Sequence, residues 1–219
     1  MTDTFIKCRG KTSEWLDTCS VDEMRNLILK LDSSCWTRYS FRKADVNKHV
    51  TTIPLYFLTG DWKLHDPITI YRFTEFSNLF PFIEKIYQMI IKKGVKEGVI
   101  TKAMIARLEP HQRITRHVDY GDSLTLSQRC HWVIKSNPLV KFIVNDELMY
   151  WSEHNIYEIN NQYPHEIIND SDEYRIHLIF DIIPYQYVEQ NVSYIDLSWE
   201  QYLVKKSEIL YKHMGIKTS

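Results

Sequence analysis

The stretch Tyr174-Arg175-Ile176-His177-Leu178-Ile179-Phe180 decides the fold, because polar and apolar residues alternate along it. Residues at positions i and i+2 of a strand lie on the same face of a sheet. Arg175 and His177 would therefore share a face, and apolar residues would pack around them. This alternation predicts a β-strand that turns a polar pair toward one side of a sheet.

Similar short runs precede this stretch at regular intervals from residue 99 onward. They cover residues 103–108, 131–134, 140–144 and 155–159. The segment Asn145-Asp146-Glu147 between two runs is typical of a hairpin turn. Many short strands at such spacing predict a mostly β fold with flanking helices, built as a sandwich or a double-sheet jelly roll.

The flanking regions predict mixed structure within a single domain of residues 1–219. Residues 1–98 are expected to form an α/β flank, residues 99–184 the β core, and residues 185–219 a C-terminal helical segment. Ser20 is a plausible helix N-cap, and a helix is expected to open at Phe80. A strand over residues 51–58 would tolerate Pro54 only at a sheet edge or at its start. Residues 199–214 are expected to form the closing helix.

Composition excludes several classes of function. The 219 residues carry a formal net charge of -1, with both signs mixed along the chain. A nucleic-acid-binding protein needs a basic face, and this pattern does not supply one. No segment approaches the roughly 20 apolar residues that span a membrane, and the first ten residues have no signal-peptide core. We therefore expect a cytoplasmic protein without nucleic-acid or membrane partners.

Three residues form the strongest candidate for a metal site. His117 and Asp119 stand two positions apart, and His165 follows later. Two histidines and one carboxylate are the protein ligands of non-haem Fe(II) oxygenases, and they leave coordination positions open for a co-substrate and O2. The sequence therefore predicts an Fe(II) site at His117, Asp119 and His165.

Polar pairs at strand spacing indicate a cavity around this site. Arg129 with His131 and Arg175 with His177 repeat the spacing of the metal ligands. Unpaired polar groups in a plain core would cost a few kcal/mol each, so we expect these pairs to line a ligand cavity. The guanidinium of Arg175 can hold the far carboxylate of a 2-oxo acid.

Each of these residues also has a plainer interpretation. Arg175 could be a surface residue paired with Asp172 or Glu173, and Arg129 and His131 could form ordinary cross-strand contacts. His177 could be a core histidine. Two further residues, Arg107 and Asn137, are candidates for a substrate contact or a supporting role, although Asn137 precedes a proline and could simply start a turn.

From about residue 103 to residue 183 the chain resembles the aspartyl/asparaginyl β-hydroxylase family of Fe(II)/2-oxoglutarate-dependent oxygenases. The matching stretches are Arg107-Leu108-Glu109-Pro110, the His-x-Asp segment 114–121, Arg129-Cys130-His131, Ser136-Asn137-Pro138, residues 140–145, Pro164-His165-Glu166, Asn169 and residues 173–181. In the turn after Pro110, where the family usually has glycine, this chain has His111, and the family's usual Gly-Glu before a late strand reads Glu153-His154 here. Both differences are expected in turns.

The resemblance implies a double-stranded β-helix (a cupin-like jelly roll) with iron held between two sheets. It implies that 2-oxoglutarate binds iron through its 1-carboxylate and keto oxygen while Arg175 binds the other end. Arg129 and His131 would then lie near the co-substrate's metal-binding end. Because Asp119 is present, the chain is similar to the microbial branch, which includes free-proline hydroxylases.

The expected activity is that of a dioxygenase using Fe(II), 2-oxoglutarate and O2. It would hydroxylate an unactivated C–H bond of an Asp-, Asn- or Pro-type side chain in a protein or peptide, with succinate and CO2 as co-products. One alternative is hydroxylation of a free amino acid such as proline. An alternative of another class is a metal-binding cupin-like protein without oxygenase activity, which would make Arg175 incidental.

Overall fold

The computed structural model describes residues 6–12, 18–39, 48–60, 62–188 and 191–213. The strands of this part of the chain are β1 (Ile6–Lys11), β2 (Val50–Leu58), β3 (Ile68–Phe73), β4 (Gly98–Leu108), β5 (Arg113–His117), β6 (Gln128–Lys135), β7 (Val140–Val144), β8 (Glu147–Met149), β9 (Asn155–Ile159), β10 (His165–Asn169), β11 (Arg175–Pro184) and β12 (Val192–Leu197). Its α-helices are α1 (Thr18–Leu29), α2 (Ser33–Arg38), α3 (Phe80–Lys92), α4 (Asp122–Thr125) and α5 (Trp199–His213).

The twelve strands of the described residues form two sheets. The larger sheet has eight strands in the order β1-β9-β6-β11-β4-β2-β3-β12, and the smaller has four in the order β5-β10-β7-β8. From β4 to β11 the chain passes back and forth between the sheets. This alternation is a double-stranded β-helix, and it confirms the predicted jelly-roll core.

Alternate residues of β4 show how the large sheet is covered on both faces. Met104, Ala106 and Leu108 pack in the cluster between the two sheets, together with Ile114 and Phe142 of the small sheet. The intervening residues of the same strand turn outward. Because both faces are covered, every residue of the central strand β11 is buried.

Helices cover the outer face of the large sheet. Ala103 and Ile105 of β4 join the outer cluster, to which α1 contributes Met24 and Ile28. Helix α3 adds Ile83, Ile86 and Ile90, which recur at helical spacing on one face. The same cluster extends to Trp199 at the start of α5. The flanking regions are therefore packed onto the β core.

Pro54 lies in the middle of β2 rather than at its start, and in the strand order β2 stands between β4 and β3. Strand β3 pairs only with Tyr56–Leu58 of β2, so among the described residues Pro54 has a strand partner on the β4 side alone, and the predicted edge position holds locally. The register of β2 against β4 also shifts between Pro54 and Tyr56, which marks a bulge. A bulge is a further place where a sheet tolerates proline.

Three predicted turns have backbone conformations that usually favour glycine. Asn145 and Asp146 connect β7 to β8 with φ of 47° and 67°, the signs of a type I′ hairpin, so the predicted turn is confirmed. His111 has φ 53° and His154 has φ 66°. His111 therefore adopts the left-handed conformation where glycine was expected, and His154 adopts it one position after Glu153, which stands where the family has glycine.

The termini of the domain contain more strand than the sequence indicates. Residues 185–219 were expected to be helical, but β12 also lies here and pairs in parallel with β3 at the edge of the large sheet. Helix α1 begins at Thr18, two residues before the predicted cap. Helix α5 ends at His213, and Met214 lies outside the described residues. No helix in the described ranges is both long and apolar enough to cross a membrane.

Candidate metal centre

The predicted metal ligands converge at one end of the small sheet. His117 is the last residue of β5 and His165 is the first of β10, and the two are direct partners across the antiparallel pair. Asp119 follows β5 by two residues. The ligand atoms of all three residues lie within 4.8 Å of one another. The structure thus brings together the three residues that the sequence predicted.

Backbone carbonyls orient both imidazoles in the same way. Nδ1 of His117 is 2.7 Å from the carbonyl oxygen of Thr115, and Nδ1 of His165 is 3.0 Å from that of Tyr163. A carbonyl oxygen only accepts, so each Nδ1 carries the proton and each Nε2 presents a lone pair. Burial lowers the pKa of His165, which keeps that ring neutral. This tautomer is the one that a metal ion requires.

The carboxylate of Asp119 is fixed through one of its oxygens. Oδ2 accepts hydrogen bonds from Nη1 of Arg129 and, at 3.2 Å, from Nδ2 of Asn161. Oδ1 lies 3.9 Å from Nε2 of His117. Burial raises the pKa of Asp119, but the charge of Arg129, together with smaller contributions that include the hydrogen bond from Asn161, holds the pKa below its ordinary value. Oδ1 is therefore an ionised oxygen available to a metal.

The guanidinium of Arg129 links the metal end to a second carboxylate. Its Nε and Nη2 donate to the two oxygens of Asp181 at 2.6 and 2.9 Å. Asp181 also accepts a hydrogen bond from Nζ of Lys102 at 2.7 Å. Because Nη1 serves Asp119, three of the five N–H groups of Arg129 have protein partners. The contact of Arg129 with a co-substrate stays a prediction, and its two remaining N–H groups would have to make that contact.

Sequence reasoning assigned no role to Asp181, Lys102 or Asn161. A signal for Asp181 was present, since it lies at even spacing from Arg175 and His177 in the same strand and so faces the same cavity. Lys102 and Asn161 carried no local signal. Their roles follow from contacts with residues 79 and 42 positions away in the chain.

Arg175 lies at the cavity wall and has no anionic partner among the residues that the structure describes. Only 1% of the residue is exposed, so the alternative of a surface ion pair with Asp172 or Glu173 is wrong. Within the described part of the chain, Nε and Nη1 have no hydrogen-bond partner. Burial alone lowers the pKa of Arg175 to about 9. The protein therefore presents a buried cation that only a bound anion would complete.

His131 and His177 lie beside Arg175 in the same region. Both are buried, with 4% and 1% exposed, and their Nδ1 atoms are 3.3 Å apart. Burial lowers the pKa of each imidazole well below its ordinary value, and the charge of Arg175 lowers both further. His131 lines the cavity together with the metal ligands and Arg175.

Arg107 is not brought to the cavity. It points to the opposite face of β4 from Met104 and Ala106. Its guanidinium lies over the ring of Trp36 at 4.6 Å and donates to Glu109. The predicted role in substrate contact has no support from this position.

Asn137 also lies away from the metal ligands. It occupies the turn between β6 and β7, where Nδ2 donates to Oγ of Ser171 at 2.8 Å and Oδ1 accepts from the backbone of Leu139 at 3.0 Å. Oδ1 serves the turn, as the alternative interpretation expected, and Nδ2 joins the turn to the loop between β10 and β11. A supporting role at the site stays a prediction.

The donor set fits the group that the sequence implies. Two neutral imidazoles and one carboxylate suit Fe(II) and leave the remaining positions open. Arg175, with its unpartnered Nε and Nη1, fits the far carboxylate of a 2-oxo dicarboxylic acid. The site therefore contains a metal-binding half and an anion-binding half in one cavity.

Comparisons with known proteins agree with this geometry. No curated protein matches the sequence. The structure is similar to a 2OG-Fe(II) oxygenase-family oxidoreductase from Burkholderia pseudomallei, with TM-score 0.55, 8% identity, and 81% of this chain and 86% of that chain covered. A cupin 2 conserved barrel domain protein from Salinispora arenicola is similar over 37% of this chain and 61% of that chain, with 7% identity and TM-score 0.30. At these identities the first likeness shows the fold, and the second is too partial to add to it.

The sequence itself matches a family model over most of its length. The model described as aspartyl/asparaginyl beta-hydroxylase matches residues 10–184, which include the metal ligands and Arg175. The match confirms the resemblance, and the chain belongs to the aspartyl/asparaginyl β-hydroxylase family.

Proposed function

We propose that this protein is an Fe(II)- and 2-oxoglutarate-dependent dioxygenase that hydroxylates an unactivated C–H bond of an amino-acid side chain. The observation that carries the proposal is the buried, uncompensated guanidinium of Arg175 in the same cavity as the metal ligands. A buried cation without a partner is unfavourable, and an anionic co-substrate would remove that penalty. A metal-binding protein without oxygenase activity offers no reason for this arrangement.

The binding roles follow from the contacts described above. His117, Asp119 and His165 would hold Fe(II), and Arg175 would hold the far carboxylate of 2-oxoglutarate. His131 would donate a hydrogen bond near the metal-binding end of the co-substrate. With 2-oxoglutarate and O2, the bound iron would supply the oxidation that hydroxylates the substrate and leaves succinate and CO2.

The protein itself prepares the site for this chemistry. Thr115 and Tyr163 hold the imidazoles of His117 and His165 with their Nε2 atoms unprotonated. Arg129 keeps Asp119 ionised and fixes its second oxygen. Apolar side chains complete the cavity wall and limit the access of water, namely Met104, Ile114, Phe142, Ile167 and Ile179.

A peptide or protein is the substrate that the surface beside the site supports best. A polar groove, open to solvent, shares Ile159 with the wall of the metal cavity. It is also lined by Asn160, whose exposed amide could pair with a peptide backbone. A free amino acid such as proline would instead need a small closed pocket that holds both its ammonium and its carboxylate.

An anaerobic titration tests the reaction class without knowledge of the substrate. The apo-protein would receive Fe(II) and then 2-oxoglutarate while the visible metal-to-ligand charge-transfer band is followed. We expect a band in the wild type and none in His165→Ala. A folded wild-type protein that gives no band would favour a metal-binding cupin-like protein that is not an oxygenase.

Succinate release then separates the substrate classes. The iron-loaded enzyme would be incubated with 2-oxoglutarate and either free Asp, Asn and Pro or peptides that contain these residues. We expect stimulation by a peptide. Stimulation by free proline alone would replace the peptide assignment with the amino-acid alternative.

A further inference from the structure

The inference concerns the pair of buried histidines beside Arg175. His131 belongs to β6 and His177 to β11, which are neighbours in the large sheet. Their Nδ1 atoms are in contact at 3.3 Å. Two ring nitrogens at this distance form a hydrogen bond only if one carries a proton and the other a lone pair.

The proton positions of the two rings are consequently coupled. Burial and the nearby charge of Arg175 keep both rings neutral, so each ring has one N–H. One of the rings uses its N–H in the Nδ1–Nδ1 contact. That ring has a bare Nε2, and the other ring must carry its proton on Nε2. Neither Nε2 has a hydrogen-bond partner within the described residues.

The position of the rings decides which Nε2 should be protonated. His131 lines the cavity, whereas His177 lies behind it. The ring of His177 is stacked over Trp151, with centroids 5.7 Å apart and an interplanar angle of 14°. An anion in the cavity can accept only from His131. The aromatic surroundings of His177 offer no acceptor for a second N–H.

We propose that His177 is a positioning residue that fixes the tautomer of His131. Its Nδ1–H donates to Nδ1 of His131, which places the proton of His131 on Nε2, where it can donate to an anionic co-substrate. This inference rests on the proposed function, because the acceptor is the metal-binding end of 2-oxoglutarate. His177 itself touches neither metal nor co-substrate.

Nitrogen NMR measures the tautomers directly. Protein labelled with ¹⁵N-histidine would be loaded with Zn(II), which is diamagnetic, and with 2-oxoglutarate. Protonated and bare ring nitrogens differ in chemical shift. We expect protons on Nε2 of His131 and on Nδ1 of His177. A proton on Nδ1 of His131 would overturn the proposal, and this measurement needs no variant.

Two substitutions distinguish positioning from mere packing. His177→Asn keeps a donor, Nδ2, near the place of Nδ1, whereas His177→Leu keeps bulk without a donor. Loss of an orienting partner typically weakens a site by about tenfold or more, and we expect a loss of that size for 2-oxoglutarate in the Leu variant. The Asn variant should recover most of it. Equal affinities of Leu variant and wild type, or equal losses in both variants, would overturn the proposal.

The wild type supplies the control for the proposed function. If wild-type protein with Fe(II) does not bind 2-oxoglutarate, the proposed function fails. If it binds, and the tautomers or variants differ from expectation, only the role of His177 fails. Fe(II) affinity should stay unchanged in both variants, since no metal ligand is altered.

Discussion

The two buried arginines of the cavity differ in one respect, which is whether the protein provides their counter-charge. Arg129 donates to both oxygens of Asp181 and to Asp119, and the charges of these carboxylates raise its pKa despite burial. Arg175 has no such partner, and burial lowers its pKa to about 9. Both side chains lie in the wall of the same cavity.

Under the proposed function, this difference separates a structural charge from a ligand-binding charge. Asp119 and Asp181 neutralise Arg129, and the contact with Arg129 fixes a candidate metal ligand, Asp119. Arg175 lies next to two neutral histidines without a counter-charge among the described residues, and we propose that a bound anion supplies it. Burial of charge alone would not have distinguished the two residues.

The largest expected effect is a loss of stability, and we expect it from substitution of Arg129 but not of Arg175. Arg129→Met leaves the buried carboxylates of Asp119 and Asp181 without their main partner, and breaking such a pair typically destabilises by about 3–5 kcal/mol. Arg175→Met removes an uncompensated cation and should leave the apo-protein as stable as the wild type, or more so. Urea denaturation of the three proteins measures both effects. Equal destabilisation by the two substitutions would contradict the comparison.

The next largest effect is on the affinity for 2-oxoglutarate, and we expect it from substitution of Arg175. Arg175→Met should weaken 2-oxoglutarate binding by about 100-fold, since truncating a buried charged partner typically costs 2–5 kcal/mol. Titration of the charge-transfer band in the Fe(II) protein measures this loss. Arg113→Met serves as the matched control, because it removes an exposed charge from β5. Unchanged affinity in Arg175→Met would remove the ligand-binding role.

Acid should affect the surroundings of the two arginines in different pH ranges. The folded-state pKa values of His131 and His177 lie well below the ordinary histidine value of about 6.5. As the pH falls below about 6.5, these two histidines take up protons in the unfolded chain but stay neutral in the folded protein. Stability then falls by up to about 1.4 kcal/mol per pH unit for each histidine. The lowered pKa values of Asp119 and Asp181 give a contribution that is lost only as pH falls below about 3.9.

Urea denaturation between pH 7.5 and pH 5 measures this dependence. We expect the slope of stability against pH to be smaller in His177→Leu by about one proton, because one titrating group is gone. An identical slope in wild type and variant would show that His177 does not stay neutral in the folded protein.

The smallest expected effect concerns the second hydrogen bond to Oδ2 of Asp119, which comes from Asn161. Asn161→Ala removes a hydrogen bond to Oδ2 of Asp119, and loss of such a partner typically weakens metal binding by about tenfold. Asn160→Ala is the matched control, because Asn160 is the exposed neighbour of Asn161 and does not contact the carboxylate of Asp119 in the described structure. Fe(II) affinity by competition with a chelator measures the difference. Equal affinities of the two variants would show that Arg129 alone holds Asp119.

The sequence predicted which three side chains come together as a candidate metal site, because the signals for this grouping are local. His117 and Asp119 stand two positions apart, and the order of His165 and Arg175 after them agrees with a known pattern. The counter-charge of Arg129 could not be predicted in this way. Its main partner, Asp181, is 52 residues away, and only the pairing of β6 with β11 brings the two together.

The errors in the fold have the same origin. The sequence left open whether Pro54 lies at an edge or at a strand start, and the structure places it inside β2, beside a bulge against β4 and outside the stretch that pairs with β3. Strand β12 was missed because an exposed edge strand, which pairs only with β3, lacks the apolar alternation of the core strands. Arg107 was a candidate until the face of β4 on which it lies was known.

By itself, the sequence determined the β-rich core, the three candidate metal ligands and the identity of Arg175 as the anion-binding candidate. Strand period, residue type and short spacing are local properties, and these features depend on little else. Only the tertiary structure decided that Arg129 is neutralised by Asp119 and Asp181, that Arg175 has no such partner among the described residues, and that Nδ1 of His131 lies against Nδ1 of His177. Each of these depends on contacts between distant strands in a buried cavity, where the presence or absence of one partner sets the charge state of a side chain.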